Sequence, residues 1–286
     1  MQNVSPTLLL CTNGDPHSRP ALEYGVWLAG VINVSVELLG VVEALHERKL
    51  VEGVLEETSN QLEQSGIAYS TRIDQGNATQ VIASCVSEGR YLTVVGPLGR
   101  PTWRRVLHGR SIRRIMEKIA TPIVYVRKPH PRLDRILLCM GGLGYASSME
   151  QAALYLAQAA GAKITLLHVV EPVTLEYPTA KEIQDHWQTI METDTPQGRN
   201  LRNAMAAVEA MGLSANLKVK RGSIVREILE EGAQGNYDLI GLGSPYSAQS
   251  LRHLYMPNVT AEVAESFECP ILTVRQGYGL FNVQTV

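Results

Sequence analysis

The second half of this chain repeats the landmarks of the first half in the same order. Each half begins with an apolar run that ends in Cys and, three residues later, Gly, and each closes with Pro-Ile and a further apolar residue. The matching segments are residues 8–14 and 136–142, 76–82 and 222–228, and 121–124 and 269–272. At 286 residues the chain also exceeds the usual size of one domain. We therefore predict two copies of one folded unit, at residues 1–128 and 133–278, joined by a stiff linker with two prolines.

Short apolar runs alternate with helical patterns in both halves, which predicts an α/β fold with parallel sheets covered on both faces. The predicted strands are 7–12, 35–42, 67–73, 91–95 and 122–127, then 135–140, 163–169, 214–220, 237–242 and 270–275. The predicted helices are 18–31, 46–65, 78–88 and 110–119, then 146–160, 200–211, 223–234 and 258–267. The second half is longer by an insertion at about 171–198, which contains a helical pattern at 180–191. This insertion could cover the second site, form a surface for a partner, or pack on its own domain.

A glycine-rich loop lies between a predicted strand and a predicted helix in the first half. It reads Gly96-Pro-Leu-Gly99, then nine residues, then Gly109-Arg110-Ser111. Glycine lets the backbone approach a ligand, and the free N–H groups at a helix start attract anions. This loop is the candidate phosphate site, although glycines also serve ordinary turns.

That spacing, followed by a helix and a Thr-Pro-apolar strand, resembles the universal stress protein family, whose nucleotide loop has the form G-x2-G-x9-G-(S/T). The resemblance covers nearly the whole chain, twice. It implies two doubly wound domains, each with five parallel strands in the order 3-2-1-4-5. It also implies that the last strands of the two halves pair to form an intramolecular pseudo-dimer, which can associate further as a homodimer.

The resemblance implies a binding site for ATP or another adenine nucleotide in the first half only, with Mg²⁺ accompanying ATP. Asn13 replaces the family's Asp near the base or ribose, and Val41 occupies the position that packs on adenine. Around the phosphates the implied residues are Gly96, Gly99, Gly109, Arg110 and Ser111, with Arg110 in place of a hydroxyl residue. The alternative interpretation is a loop that has lost its ligand.

The second half has lost more of this pattern. Gly141 stands at the Asp position, Tyr246 at the second glycine, and Pro257 near the third. Tyr246 adds bulk where the backbone must approach a phosphate, and Pro257 has no N–H donor. We expect a retained fold without the usual nucleotide site.

Six arginines crowd the first-half loop and the following helix start: Arg100, Arg104, Arg105, Arg110, Arg113 and Arg114. They favour a phosphate ligand, an acidic protein partner or simply a solvated surface. Nucleic acid is disfavoured, because no aromatic platform accompanies them and the net charge is −2.

No familiar catalytic or metal-binding motif is present in the sequence, so we assign no catalytic residue and no metal ligand. His17, His108 and His253 fall in loops at the predicted ligand-binding edges, where a ligand contact remains open. The four separated cysteines fit a reducing cytoplasm, and neither a signal peptide nor a membrane span is expected. We favour a cytoplasmic, non-enzymatic stress-response regulator that binds an adenine nucleotide. The alternatives are a nucleotide-free module that binds a protein partner and, third, a weak ATPase.

Overall fold

A computed structural model describes residues 6–87, 89–97, 115–116, 118–119, 121–141, 147–172, 178–244 and 259–275. In these residues the strands are β1 Thr7–Thr12, β2 Val36–Val42, β3 Tyr69–Gln75, β4 Tyr91–Val95, β5 Ile123–Tyr125, β6 Arg135–Met140, β7 Lys163–Val170, β8 Ala215–Arg221, β9 Leu239–Ser244 and β10 Ile271–Arg275. The α-helices are α1 Arg19–Ile32, α2 Arg48–Gln64, α3 Ala78–Ser87, α4 Ser147–Ala160, α5 Pro178–Asp185, α6 Pro196–Ala210, α7 Ile224–Gly235 and α8 Val259–Ser266. Short 3-10 helices lie at Pro16–Ser18, Leu45–Glu47 and Trp187–Glu192.

The strands form one ten-stranded sheet in the order β3-β2-β1-β4-β5-β10-β9-β6-β7-β8. Neighbouring strands are parallel within each half, whereas β5 and β10 pair antiparallel, with Leu272 opposite Val124. Each half therefore has the predicted α/β architecture and the strand order 3-2-1-4-5. The last strands of the two halves pair as expected, while the exact bounds of the two domains remain a prediction.

The inner strands are apolar because helices cover both faces of the sheet. In β1, every residue from Leu8 to Thr12 is buried. The two outermost strands differ, since β3 carries Arg72 and Asp74 and β8 carries Lys218 and Lys220. Charged side chains on edge strands discourage unwanted pairing with other sheets.

Each face of the sheet has its own apolar core, and both cores run through both halves. One core contains Leu10 and Leu38 from the first half together with their repeat equivalents Leu138 and Leu166. The other contains the alternate residues of the same strands: Leu9, Leu39, Leu137 and Leu167. Because successive side chains of a strand point to opposite faces, two buried faces require this continuous run of apolar residues.

The linker between the halves is held by the buried carboxylate of Asp238. One of its oxygens accepts hydrogen bonds from the backbone N–H groups of Asp134 (2.9 Å) and Arg135 (3.0 Å). The other lies 3.0 Å from Nε2 of His130. Arg127 adds hydrogen bonds to the carbonyl groups at the end of α8. The linker is therefore fixed to the second half.

The insertion forms two short helical pieces rather than the single helix predicted at 180–191. Helix α5 ends at Asp185, and the 3-10 helix that follows is interrupted by non-helical backbone at Thr189. Ile190 is fully buried in the core, and Trp187 packs against it. These residues of the insertion thus pack on the second half.

No α-helix within the described ranges combines the length and the apolar character needed to cross a bilayer.

Replacing Leu272 with Ala should destabilise the whole chain by about 2–5 kcal/mol, because the side chain is fully buried where the two halves meet. Urea unfolding followed by circular dichroism measures this. Leu45→Ala is the matched control, since Leu45 is 71% exposed, and we expect a change within about 0.5 kcal/mol. A single transition should shift in Leu272→Ala. Two separate transitions of which only one moves would contradict a shared core.

Candidate functional site

The candidate site lies where the winding of the first-half sheet changes direction. Strands β2 and β3 lie on one side of β1, and β4 and β5 lie on the other. Cys11 of β1 is in register with Val95 of β4. Asn13 and Gly96 therefore follow two neighbouring parallel strands at the same edge of the sheet. In open α/β sheets, ligands bind at such a switch point, beyond the carboxyl ends of the strands.

The turn after β1 is ordered by its own polar groups. The buried Thr12 hydroxyl lies 2.7 Å from that of Ser18 and accepts a hydrogen bond from the N–H of Gly14 at 3.1 Å. Asn13 is half-buried, and its amide oxygen accepts from the N–H of Asp15 at 3.2 Å. Because that oxygen is used within the turn, the NH₂ group is the part of Asn13 suited to a ligand.

Asp15 caps the short 3-10 helix that leads into α1. Its Oδ1 accepts the N–H of His17 at 2.8 Å and lies 2.7 Å from the ring Nδ1 of the same residue. The carbonyl oxygen of Asp15 accepts from the Ser18 hydroxyl at 2.7 Å. Sequence analysis placed His17 at this edge of the sheet but missed Asp15. The spacing Asp-Pro-His was the available signal, because Pro at the first position of a helix favours a capping Asp before it.

Gly96 is closely packed against the start of α1. A Cβ atom at this position would lie 3.1 Å from the carbonyl oxygen of His17 and 3.3 Å from both Cβ of Ala21 and Cα of Ser18. The end of β4 therefore touches the start of α1 closely. This glycine serves the junction of strand and helix whether or not a phosphate binds beside it.

Val41 lies in β2, next to β1, with its side chain 1% exposed. It belongs to the same core as Ala78 and Ile82 of α3. A base at this position would therefore meet the backbone of Val41 rather than its isopropyl group. The prediction that remains is a contact between adenine and the backbone of Val41.

The remaining predicted contacts fall outside the described residues: Gly99, Gly109, Arg110, Ser111 and the six-arginine cluster. Their roles at the phosphate end remain predictions. Ile115 and Met116, which follow them, are helical and buried. A helix thus follows the glycine loop, as the motif requires.

The second half has the same backbone hydrogen bond after its second strand but lacks a side chain at the position of Asn13. Gly222 donates to the carbonyl of Val170 at 3.1 Å, just as Gly76 donates to that of Val42 at 3.1 Å. Gly141 is exposed and follows β6 without offering a side chain. Tyr246 and Pro257 lie outside the described residues.

His168 is the buried histidine near this second edge of the sheet. Its Nδ1 donates to the carbonyl oxygen of Met140 at 3.0 Å, and the side chain is 4% exposed. Burial lowers the pKa of His168. The ring of His168 is therefore a neutral group packed beneath this edge of the sheet.

An apolar pair adjoins the first-half site. Leu45 is 71% and Leu50 is 62% exposed, and they are the large apolar side chains most open to solvent in the described parts of the chain. The backbone of Leu50 lies against Gly14, since a Cβ on Gly14 would be 3.2 Å from the carbonyl carbon of Leu50. Sequence patterns did not single out these two leucines.

No group of three or more His, Cys, Asp or Glu side chains placed to hold a metal ion occurs among the described residues.

Comparisons with known proteins identify relatives over the whole chain. The family model described as the universal stress protein family matches residues 132–275, half of the chain. Universal stress protein Slr1230 of Synechocystis sp. is 22% identical over 309 aligned positions, which cover 94% of this chain and 99% of that protein. The crystal structure of a universal stress protein from Archaeoglobus fulgidus covers 97% of this chain and 100% of its own, with 18% identity and a TM-score of 0.73. This last similarity confirms the fold of both halves.

A shorter structure belongs to the same family. It is a universal stress protein family protein from Arabidopsis thaliana with AMP bound, and it covers 50% of this chain and 92% of its own. The identity is 16% and the TM-score is 0.36.

Replacing Gly96 with Ala should lower the free energy of unfolding by about 1–3 kcal/mol, because the new methyl group is forced against the start of α1. Gly141→Ala is the control, since a Cβ at Gly141 would meet no atom of the described residues within 4 Å. We expect that control to be neutral or stabilising by up to about 1 kcal/mol. Denaturant unfolding of both variants checks this. Equal effects of the two substitutions would show that Gly96 is not held by packing.

Proposed function

This chain belongs to the universal stress protein family, and we propose that it is a cytoplasmic stress-response regulator that binds one adenine nucleotide, as ATP with Mg²⁺, in its first half. The location is part of the proposal. Its support is that the four cysteines form no disulfide bond with one another, as a reducing compartment favours.

The observation that carries the proposal is the meeting of Asn13 and Gly96 at the switch point. Asn13 offers an amide donor at the end of β1. Gly96 follows the neighbouring β4 and is the first glycine of the spaced motif in the sequence, and a motif of this kind before a helix attracts phosphate. In this arrangement Asn13, after β1, would contact the base or ribose, and the segment that begins at Gly96, after β4, would contact the phosphates. The backbone of Val41 in β2 would lie next to the base.

The restriction to the first half rests on what the second half lacks. Gly141 offers no side chain where Asn13 stands, and a Cβ there would meet no atom of the described residues within 4 Å. The sequence places Tyr246 and Pro257 where a phosphate loop needs close backbone and N–H donors. One nucleotide per chain is the consequence.

A second candidate function is supported by Leu45 and Leu50. Exposed apolar side chains next to a site often mark a contact with another protein. In that alternative the chain is a nucleotide-free module, and this apolar pair together with the arginine-rich loop contacts a partner.

Isothermal titration of the chain with ATP, ADP and AMP tests the proposal, with one site per chain expected. Gly99→Val should weaken binding by about tenfold or more, equivalent to at least about 1.4 kcal/mol, by blocking the close approach of a phosphate. Tyr246→Val, in the corresponding loop of the second half, is the matched control and should leave the affinity unchanged.

The melting temperature of each variant without ligand controls for folding. Absence of binding by the unmodified chain would refute the proposal and favour the interaction module. Equal losses in the two variants would refute a site confined to the first half.

A further inference from the structure

The first-half site contains a carboxylate–imidazole pair that the proposed function does not use. Oδ1 of Asp15 lies 2.7 Å from Nδ1 of His17, with side chains 13% and 63% exposed. A carboxylate oxygen can only accept, so Nδ1 of the neutral ring carries the proton and donates it. The other nitrogen, Nε2, then has a lone pair, and the ring that bears it is open to solvent. Such a nitrogen is a nucleophile.

The pair is held in place by bonds that lead back to β1. Oδ1 of Asp15 also accepts the backbone N–H of His17, and the carbonyl oxygen of Asp15 accepts both the N–H (2.9 Å) and the hydroxyl (2.7 Å) of Ser18. The Ser18 hydroxyl in turn meets the buried Thr12 hydroxyl at 2.7 Å. The ring is therefore anchored through a network whose far end is fixed in the sheet. A reactive group positioned in advance loses little freedom when it reacts.

The pair also lies beside the start of the glycine loop. The carbonyl oxygen of His17 is 3.1 Å from the place that a Cβ on Gly96 would take. Gly96 is the first glycine of the loop assigned to the phosphates. The backbone of His17, from which the solvent-exposed imidazole projects, thus lies beside Gly96 at the phosphate end of the proposed site, whereas Val41 lies in β2 at the base end.

We propose that His17 accepts the terminal phosphoryl group of a nucleoside triphosphate bound at this site, and that the product is a phosphohistidine at Nε2. This inference rests on the proposed nucleotide site. The Nε2 lone pair forms a bond to the γ-phosphorus, while the bond from that phosphorus to the β–γ bridging oxygen breaks. The bridging oxygen leaves with the nucleoside diphosphate. Nδ1 keeps its proton, and the ring gains a positive charge that the Asp15 carboxylate balances.

Direct transfer to the ring fits this geometry better than activation of a water molecule. A general base for hydrolysis needs a second group that orients the water for attack. Among the described residues, the His17 ring hydrogen-bonds to the carboxylate of Asp15, a group that orients the ring and not a water molecule. Attack by nitrogen needs only the oriented ring and a counter-charge, and Asp15 supplies both the orientation and the charge.

The test is incubation of the full chain with Mg²⁺ and ATP labelled in the γ-phosphate, followed by separation of protein from nucleotide. We expect label on the protein that is lost in acid and retained in base, as a phosphorus–nitrogen bond requires. His17→Gln should abolish it. His46→Gln is the matched control, because His46 lies at the same edge of the sheet, is 75% exposed and has its carboxylate neighbour 3.9 Å away, beyond hydrogen-bond distance. It should label like the unmodified chain.

Asp15 acts through His17, so its variant needs a separate measurement. Asp15→Asn keeps an oxygen that can accept the backbone N–H of His17 but removes the charge. The maximal labelling rate should fall by at least about tenfold, without an increase in the ATP concentration that gives half of that rate. An unchanged maximal rate would overturn the role of Asp15.

Binding of a non-hydrolysable ATP analogue, measured on the same preparation, separates the two proposals. Binding of the analogue without any label on the protein overturns the phosphoryl transfer and leaves the nucleotide site standing. No binding at all refutes both. Label that survives in His17→Gln, label that is stable in acid, or release of inorganic phosphate with no labelled protein at any time also overturns the inference.

Discussion

The antiparallel pairing of β5 with β10 determines how the two halves relate to each other. The other strand pairs of the described residues are parallel, so the junction of β5 with β10 sets the strands of the second half antiparallel to those of the first. The carboxyl ends of the two sets therefore lie at opposite ends of the sheet. The candidate ligand-binding positions of the two halves therefore cannot contact the same ligand. A substitution at one position leaves the other position unaffected. The difference between Asn13 and Gly141 fits that independence.

Much of the fold could be predicted because the strands are apolar along their whole length and recur in the same order in both halves. The bounds of β1, β4 and β6 match the prediction, since proline, glycine or a polar residue stands directly before and after each strand. The start of α6 at Pro196 rather than residue 200 could not be read from hydrophobic periodicity. It depends on the Thr195 hydroxyl, which accepts the N–H of Gly198 at 3.1 Å. The kink at Thr189 likewise follows from burying Ile190, a tertiary contact.

In the candidate site, too, some features could be predicted from the sequence and others could not. The sequence placed Asn13 and Gly96 at the ends of neighbouring strands, and the register of β1 with β4 confirms their proximity. The sequence did not disclose that Val41 points into the core, because a β-strand with two buried faces looks alike on both. Nor did it disclose the bond between Asp15 and His17, which depends on a single turn of 3-10 helix after Pro16. A side-chain contact within a single turn, such as that between Asp15 and His17, leaves no periodic pattern of apolar residues in the sequence.

The linker between the halves has a consequence for how the molecule behaves on dilution. Two separate half-length subunits joined through a three-residue strand such as β5 would dissociate as their concentration falls. Here the partner strand is tethered through a segment that Asp238 fixes to the second half, so its local concentration is set by geometry and not by the amount of protein in the cell. The paired state is therefore expected to persist on dilution, and exchange of one half for that of another chain is disfavoured.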